Sequence, residues 1–103
     1  MKIPKLSDNV KGFFQLVLSK REKTCDGLMY IGDFDGGYLF ADKLPQSLKG
    51  LCIGLPLFLY VKEDNVYTVD EDENRSVYNA ACRLLNSVDE NKCYTITLDD
   101  ENK

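Results

Sequence analysis

The segment from Leu51 to Val61, LCIGLPLFLYV, is the longest uncharged and mostly apolar run in the sequence. It is too short to cross a bilayer as a helix, which takes about 20 apolar residues. Gly54 and Pro56 also interrupt helical structure. Leu57 to Val61 therefore predicts a strand that is buried on both faces. Such a strand is expected in the middle of the fold, with the other elements covering it.

Two segments have the spacing of amphipathic helices. The first is predicted to run from Asp8 to Glu22, with Ser7 as its N-cap. The second is predicted to begin after an N-cap at Asn74 or Asp72 and to end within residues 86–91. The apolar faces of these helices consist of Val10, Phe13, Phe14, Val17 and Leu18 in the first and Val77, Ala81, Leu84, Leu85 and Val88 in the second.

Five segments are rich in β-branched and aromatic residues and are predicted to be strands. They are Leu28–Phe34, Tyr38–Ala41, Leu57–Val61, Val66–Val69 and Cys93–Leu98. Gly36 and Gly37 are expected to supply the positive φ of a tight turn between the first two strands, and Glu63–Asn65 is turn material between the next two. The order α-β-β-β-β-α-β predicts an α+β fold, in which both helices pack on a mostly antiparallel sheet of about five strands in two layers.

The length of 103 residues suits a single α+β domain that spans residues 1–103. Residues 1–6 are predicted to form an extended lead-in, because Pro4 disfavours helix in the residue before it. Residues 42–50 are predicted to connect the two hairpins or to form a single helical turn between them, with Pro45 suited to its first position. The polar residues 99–103 are expected to form a frayed tail.

The charged residues are unevenly distributed along the chain. The formal net charge is −4 at pH 7, yet six of the 13 Lys and Arg residues lie within the first 24 positions. The remainder of the chain is therefore strongly acidic, which is unfavourable for nucleic-acid binding because phosphate contacts dominate that affinity. The basic N-terminal segment is interpreted as the solvated face of the first helix. We expect neither a nucleic-acid partner nor a membrane partner.

The four cysteines, Cys25, Cys52, Cys82 and Cys93, contain no C-x-x-C pair, and the chain has no histidine. Zinc ribbons and Cys-His zinc sites are therefore excluded, and so are nucleophiles activated by histidine. Cys52 and Cys82 stand at apolar positions typical of a core, whereas Cys25 is expected to be the most exposed thiol. We expect a cytoplasmic protein with four free thiols, and we expect neither a metal nor a cofactor.

The sequence Asp33-Phe34-Asp35-Gly36 follows an apolar strand. It resembles the D-x-D-G opening of the haloacid-dehalogenase-like phosphotransferases, in which the first aspartate attacks phosphorus and the second acts as an acid or base. Gly37 stands where that family has a threonine. The resemblance implies a small carboxylate-based phosphoryl hydrolase with Asp33 and Asp35 as its catalytic residues. Turn chemistry favours a simpler interpretation, in which these aspartates frame a hairpin.

Four consecutive carboxylates stand directly before the second helix, and a tyrosine lies on either side of them in the sequence. Tyrosines beside charged groups are common anchors of protein interfaces. We therefore predict a partner-binding surface composed of Tyr67, Asp70, Glu71, Asp72, Glu73 and Tyr78. Such a surface indicates that the chain is a small acidic, non-enzymatic binding or regulatory protein of inhibitor or immunity type. The expected partner is a protein with a basic surface.

Other interpretations of the same residues remain open. The carboxylates before the second helix also stabilise its N-terminus, by about 0.3 to 1 kcal/mol each. The hydrolase based on Asp33 and Asp35 is one functional alternative. A homo-oligomeric structural subunit, for example a homodimer, is another.

Overall fold

The computed structural model describes residues 4–21, 25–43 and 57–98. Its elements are α1 (Asp8–Lys20), β1 (Gly27–Phe34), β2 (Gly37–Lys43), β3 (Phe58–Lys62), β4 (Asn65–Thr68), α2 (Arg75–Ser87) and β5 (Thr95–Ile96). This order confirms the predicted α+β class with two helices and a five-stranded antiparallel sheet. The predictions for residues 1–3, 22–24, 44–56 and 99–103, including Cys52, lie outside the described residues.

Helix α1 begins as its sequence predicts. The Ser7 hydroxyl accepts a hydrogen bond from the Val10 amide at 3.3 Å, which caps the N-terminus. Asp8 in the first turn and Lys20 in the last turn have the charges that the helix dipole favours. The helix ends at Lys20, and the following amide, that of Arg21, donates to the Leu18 carbonyl at 3.1 Å.

The strands are arranged in the order β4-β3-β2-β1-β5, so β2 is the central strand. The prediction that Leu57–Val61 is the central strand of the fold is therefore wrong. The corresponding strand, β3, lies between β2 and the short edge strand β4, and its Tyr60 and Lys62 are only half-buried. Its apolar character arises because both faces of the sheet are covered, which does not require a central position.

The two helices lie on opposite faces of the sheet, which makes three layers and corrects the predicted two-layer arrangement. Helix α1 packs through Phe14 and its neighbours on the face that carries Leu28 and Tyr30 of β1. Helix α2 packs on the face that carries Met29 and Ile31, the residues that alternate with them. Because β1 is apolar on both faces, each face needs its own helix.

The turn between β1 and β2 is one residue earlier than predicted. Asp35 and Gly36 have positive φ values of 47° and 81°, as a two-residue type I′ hairpin requires. Gly37 instead begins β2, where a Cβ atom would lie 2.5 Å from the Val61 carbonyl oxygen. Glycine is thus needed at position 37 for close strand packing and not for its φ value.

Strand β1 contains a bulge, because Tyr30 pairs with Phe40 whereas Gly32 pairs with Leu39. The bulge shifts the alternation of side chains beyond it. At the opposite edge, β5 is shorter than the predicted Cys93–Leu98 strand. It pairs with β1 through only two residue pairs.

Candidate functional site

A groove of about 590 Å³ lies along edge strand β4, next to the start of α2. We call it the β4 groove, and its lining includes Tyr60, Lys62, Tyr67, Val69, Glu73 and Val77. Tyr67 on β4 is opposite Tyr60 on β3, and their ring centroids are 6.3 Å apart. Tyr67 is nevertheless 49% exposed, one of the most exposed large apolar side chains in the described residues. An aromatic ring held on a strand with this exposure can serve as a contact point for another molecule.

Asp70 organises the acidic segment that leads into α2. Its Oδ1 atom accepts hydrogen bonds from the Asp72 amide at 2.8 Å and the Glu73 amide at 3.2 Å. Its carbonyl oxygen accepts from the Asn74 amide at 2.8 Å. Asn74 occupies the N-cap position, as one of the two predicted candidates, but its side chain forms no capping hydrogen bond. All four residues of the segment are exposed, and Asp70 has a structural role in addition.

Tyr78 has a different environment from Tyr67. Its ring packs edge-to-face on Phe58 beneath α2, with centroids 5.6 Å apart, and the residue is half-buried. Burial raises the pKa of the Tyr78 hydroxyl, and the nearby Cys82 and Glu71 raise it further. The structure thus places Glu73 at the β4 groove with Tyr67, and places Glu71 close enough to influence Tyr78. Tyr78 itself contributes to the packing of α2.

Asp33 and Asp35 each have a separate partner. The bulge in β1 directs Asp33 to the α1 face, where its carboxylate accepts a hydrogen bond from the Tyr30 hydroxyl. Burial raises the pKa of Tyr30, and the bond to Asp33 raises it further. Asp35 lies in the exposed turn, 3.8 Å from the Lys62 ammonium group. Within ranges 4–21, 25–43 and 57–98, no three His, Cys, Asp or Glu residues are grouped so that they could hold a metal ion.

Sequence reasoning did not identify the floor and the wall of the β4 groove. Tyr60 forms part of the floor, and its hydroxyl donates to the Phe34 carbonyl at 2.8 Å, which fixes the ring. Val77 forms part of the wall from α2. Tyr60 could have been found from the register of the second hairpin, because this register places Tyr60 opposite Tyr67. Val77 was predicted only as a core residue, because its proximity to β4 depends on tertiary packing.

Cys25 is buried, with 4% of its surface exposed, which corrects the expectation that it is the most accessible thiol. Its Sγ atom donates to the Gly27 carbonyl at 3.0 Å. Burial raises the pKa of the Cys25 thiol above its ordinary value, so little reactive thiolate forms near neutral pH. Cys82 and Cys93 are free and half-buried.

We expect Cys25 to react with iodoacetamide at pH 8 more slowly than Cys82 and Cys93, because it is buried whereas they are half-buried, and because burial raises the pKa of its thiol above the ordinary value. Mass spectrometry of the native protein after timed alkylation measures each rate. Alkylation after denaturation without reductant provides the reference and is expected to label four thiols per chain. Equal native rates at Cys25 and Cys93 would contradict the burial of Cys25.

Comparison with protein-family models, with curated proteins and with solved structures gives no match to this chain. No helix within the described residues is both long enough and apolar enough to cross a membrane. Hypotheses about function therefore depend on the site geometry described above.

Proposed function

We propose that this chain is a small, non-enzymatic protein-binding domain of regulatory, inhibitor-like or immunity-like type. It binds a partner protein with a basic surface through the β4 groove and the acidic segment Asp70–Glu73. The observation that carries this proposal is the exposed ring of Tyr67 on an edge strand, beside a groove lined by Glu73. Aromatic side chains in such positions contribute much of the binding energy of protein interfaces.

The charges around the groove support a basic partner. Glu71, Asp72 and Glu73 are exposed at one end of β4, in a chain with a formal net charge of −4. Lys62 is the basic residue of the groove lining, and Asp35 lies 3.8 Å from its ammonium group. Carboxylates arranged in this way attract a basic protein over long distances and accelerate its association.

The hydrolase alternative receives less support from the same geometry. Asp33, the residue in the position of the nucleophile, accepts a hydrogen bond from Tyr30, whereas Asp35 lies beside Lys62 in an exposed turn. A phosphoryl transfer site would need both carboxylates and a metal to converge on one phosphate. The separate partners of these two aspartates favour structural roles for them.

Neutralising the three exposed carboxylates that follow Asp70, by Glu71→Gln, Asp72→Asn and Glu73→Gln, is expected to slow partner association about tenfold at low salt. At high salt the difference is expected to shrink, because charges on the surface are screened over roughly 8 Å even at physiological ionic strength. The partner is obtained by affinity capture on the immobilised chain and mass spectrometry, and is then purified. Association and dissociation rates are measured by surface plasmon resonance at low and high salt. Tyr67→Ala is expected to raise the dissociation rate.

Two matched controls separate the site from general effects. The first control is a triple variant that removes the same amount of negative charge elsewhere on the chain: Asp26→Asn, Asp33→Asn and Asp89→Asn. The asparagine side chains can still accept the hydrogen bonds that the aspartate side chains accept. Phe13→Ala removes an exposed aromatic ring from α1, on the opposite face of the sheet. The proposal fails if the first control slows association as much as the changes in the acidic segment, or if Tyr67→Ala leaves the dissociation rate unchanged.

A further inference from the structure

Strand β4 lies at one edge of the described sheet. In the described part of the chain it pairs only with β3, in antiparallel orientation. Just after β4, the Val69 amide donates to the Phe58 carbonyl of β3 at 3.1 Å. Because successive amides of a strand point in opposite directions, the amides of Tyr67 and Asn65 also face β3. The amides and carbonyls of Val66 and Thr68 therefore face away from the sheet.

Carboxylates lie at both ends of this edge. The turn before β4 contains the exposed residues Glu63 and Asp64, and the acidic segment Asp70–Glu73 follows the strand. The Asp64 carboxylate accepts hydrogen bonds from the side chains of Ser7 and Asn9 of the α1 N-terminus. These bonds hold the pKa of Asp64 below its usual value and fix its charge beside the edge.

The same charges disfavour pairing of β4 with a second copy of this chain. In an antiparallel pair centred on Tyr67, the Glu63–Asp64 turn of one copy would meet the Asp70–Glu73 segment of the other. Like charges placed opposite each other across strands are destabilising, and natural proteins use charge at edge strands to prevent self-association. A strand from a different protein with basic residues at both ends would meet attraction at both ends instead.

We propose that the partner binds by strand addition, placing an extended segment with basic residues on both sides of a short β-rich core along the outer edge of β4. Main-chain hydrogen bonds to Val66 and Thr68 would supply affinity, as in other complexes in which a peptide extends a sheet. Alternate side chains of the added segment would face the α2 side, where the β4 groove can receive one of them. This inference depends on the proposed function, because it specifies how the same site recognises its partner.

The probe is a synthetic peptide with two lysines on each side of an alternating Val-Thr-Val-Thr-Val core. It is titrated into the 15N-labelled protein, and amide hydrogen exchange is followed by NMR. Because only outward-facing amides gain a partner, exchange at Val66 and Thr68 is expected to slow at least tenfold in the complex. A peptide with glutamates in place of the lysines is expected to bind at least tenfold more weakly.

The variant Thr68→Pro tests the backbone bonds directly. It removes an amide that faces outward, so the β3–β4 ladder keeps its bonds, and proline is tolerated on edge strands in this position. Thr68→Ala is the matched control, because it removes the same side chain and keeps the amide. We expect Thr68→Pro to weaken peptide binding about tenfold relative to Thr68→Ala. The 15N spectrum of each variant verifies the fold.

Strand addition is overturned if the lysine peptide does not bind, if it binds without protecting Val66 and Thr68, or if Thr68→Pro binds as well as Thr68→Ala. It is also overturned if sedimentation shows a dimer of this chain that Thr68→Pro dissociates, since β4 would then pair with itself. After any of these results, the proposed function is still supported if binding of the captured partner protein is weakened by the changes at Tyr67 and at Glu71–Glu73. Loss of that dependence removes the proposed function as well.

Discussion

Replacement of Phe14 by alanine is expected to lower the free energy of unfolding by about 3 to 5 kcal/mol. Phe14 is fully buried, and it packs edge-to-face on Phe40 of the central strand with ring centroids 4.9 Å apart. Its removal would leave a cavity between α1 and the sheet, lined by Phe40, Leu59 and other buried residues of that face. A loss of this size is a large fraction of the roughly 5 to 15 kcal/mol by which such domains are stable.

Phe13→Ala is the matched control for this change. Phe13 precedes Phe14 on the same helix but is 39% exposed. Its truncation removes the same atoms from a position that is partly in contact with water and outside the buried core, so we expect a change of at most about 1 kcal/mol. Urea unfolding followed by circular dichroism measures both variants. Equal losses at the two positions would show that α1 is rotated relative to its described packing.

The contrast between Phe13 and Phe14 also shows which features of helix packing the sequence pattern can predict. The helical spacing predicted α1 and placed both rings on its apolar face. In the structure the fully buried stripe consists of Val10, Phe14 and Leu18, which are four residues apart. Which part of a wide apolar face contacts the sheet depends on the angle at which the helix crosses the strands, and this angle is a tertiary property.

The strands show the same division between local and non-local information. The two hairpins were predicted from turn residues and β-rich segments that are adjacent in the sequence. The pairings of β2 with β3 and of β1 with β5 join segments that are far apart, and they determine that β2 is central. The bulge at β1 also required the structure, because one extra residue there decides that Asp33 lies beside Tyr30.

The candidate site was predictable only in its surface residues. Tyr67 and Glu73 were identified because the run of consecutive carboxylates, with a tyrosine on either side of it, is visible in the sequence. The β4 groove beside them needs Tyr60 from β3 and Val77 from α2, which the fold brings together. The position of β4 at an edge of the described sheet likewise became apparent only when the strand order was known.

Asp42 is the residue whose role the sequence concealed most. It was predicted to begin a connection between hairpins, yet it lies in β2 with 5% of its surface exposed. One carboxylate oxygen accepts a hydrogen bond from Arg21 at 2.9 Å, and the other accepts from the Leu57 amide at 2.9 Å. Asp42 thereby joins the residue after α1 to the residue before β3. In the sequence, a charged residue at the end of a β-rich segment is typical of a loop, and the two partners that bury Asp42 are visible only in the structure.

Asp42→Ala is expected to lower the free energy of unfolding by about 3 kcal/mol, because it removes a buried acceptor of two hydrogen bonds and separates Arg21 from its carboxylate. The expected loss is at the lower end for buried ion pairs, since the Arg21 side chain is 37% exposed and can regain water. Asp42→Asn keeps an acceptor for the Leu57 amide and is expected to lower the free energy of unfolding by less.

The control is Asp26→Ala, which replaces an exposed aspartate close to the start of β1 and is expected to change the free energy of unfolding by less than about 0.5 kcal/mol. Urea unfolding of the three variants tests the order, and an Asp42→Ala variant as stable as Asp26→Ala would show that this ion pair does not support the fold.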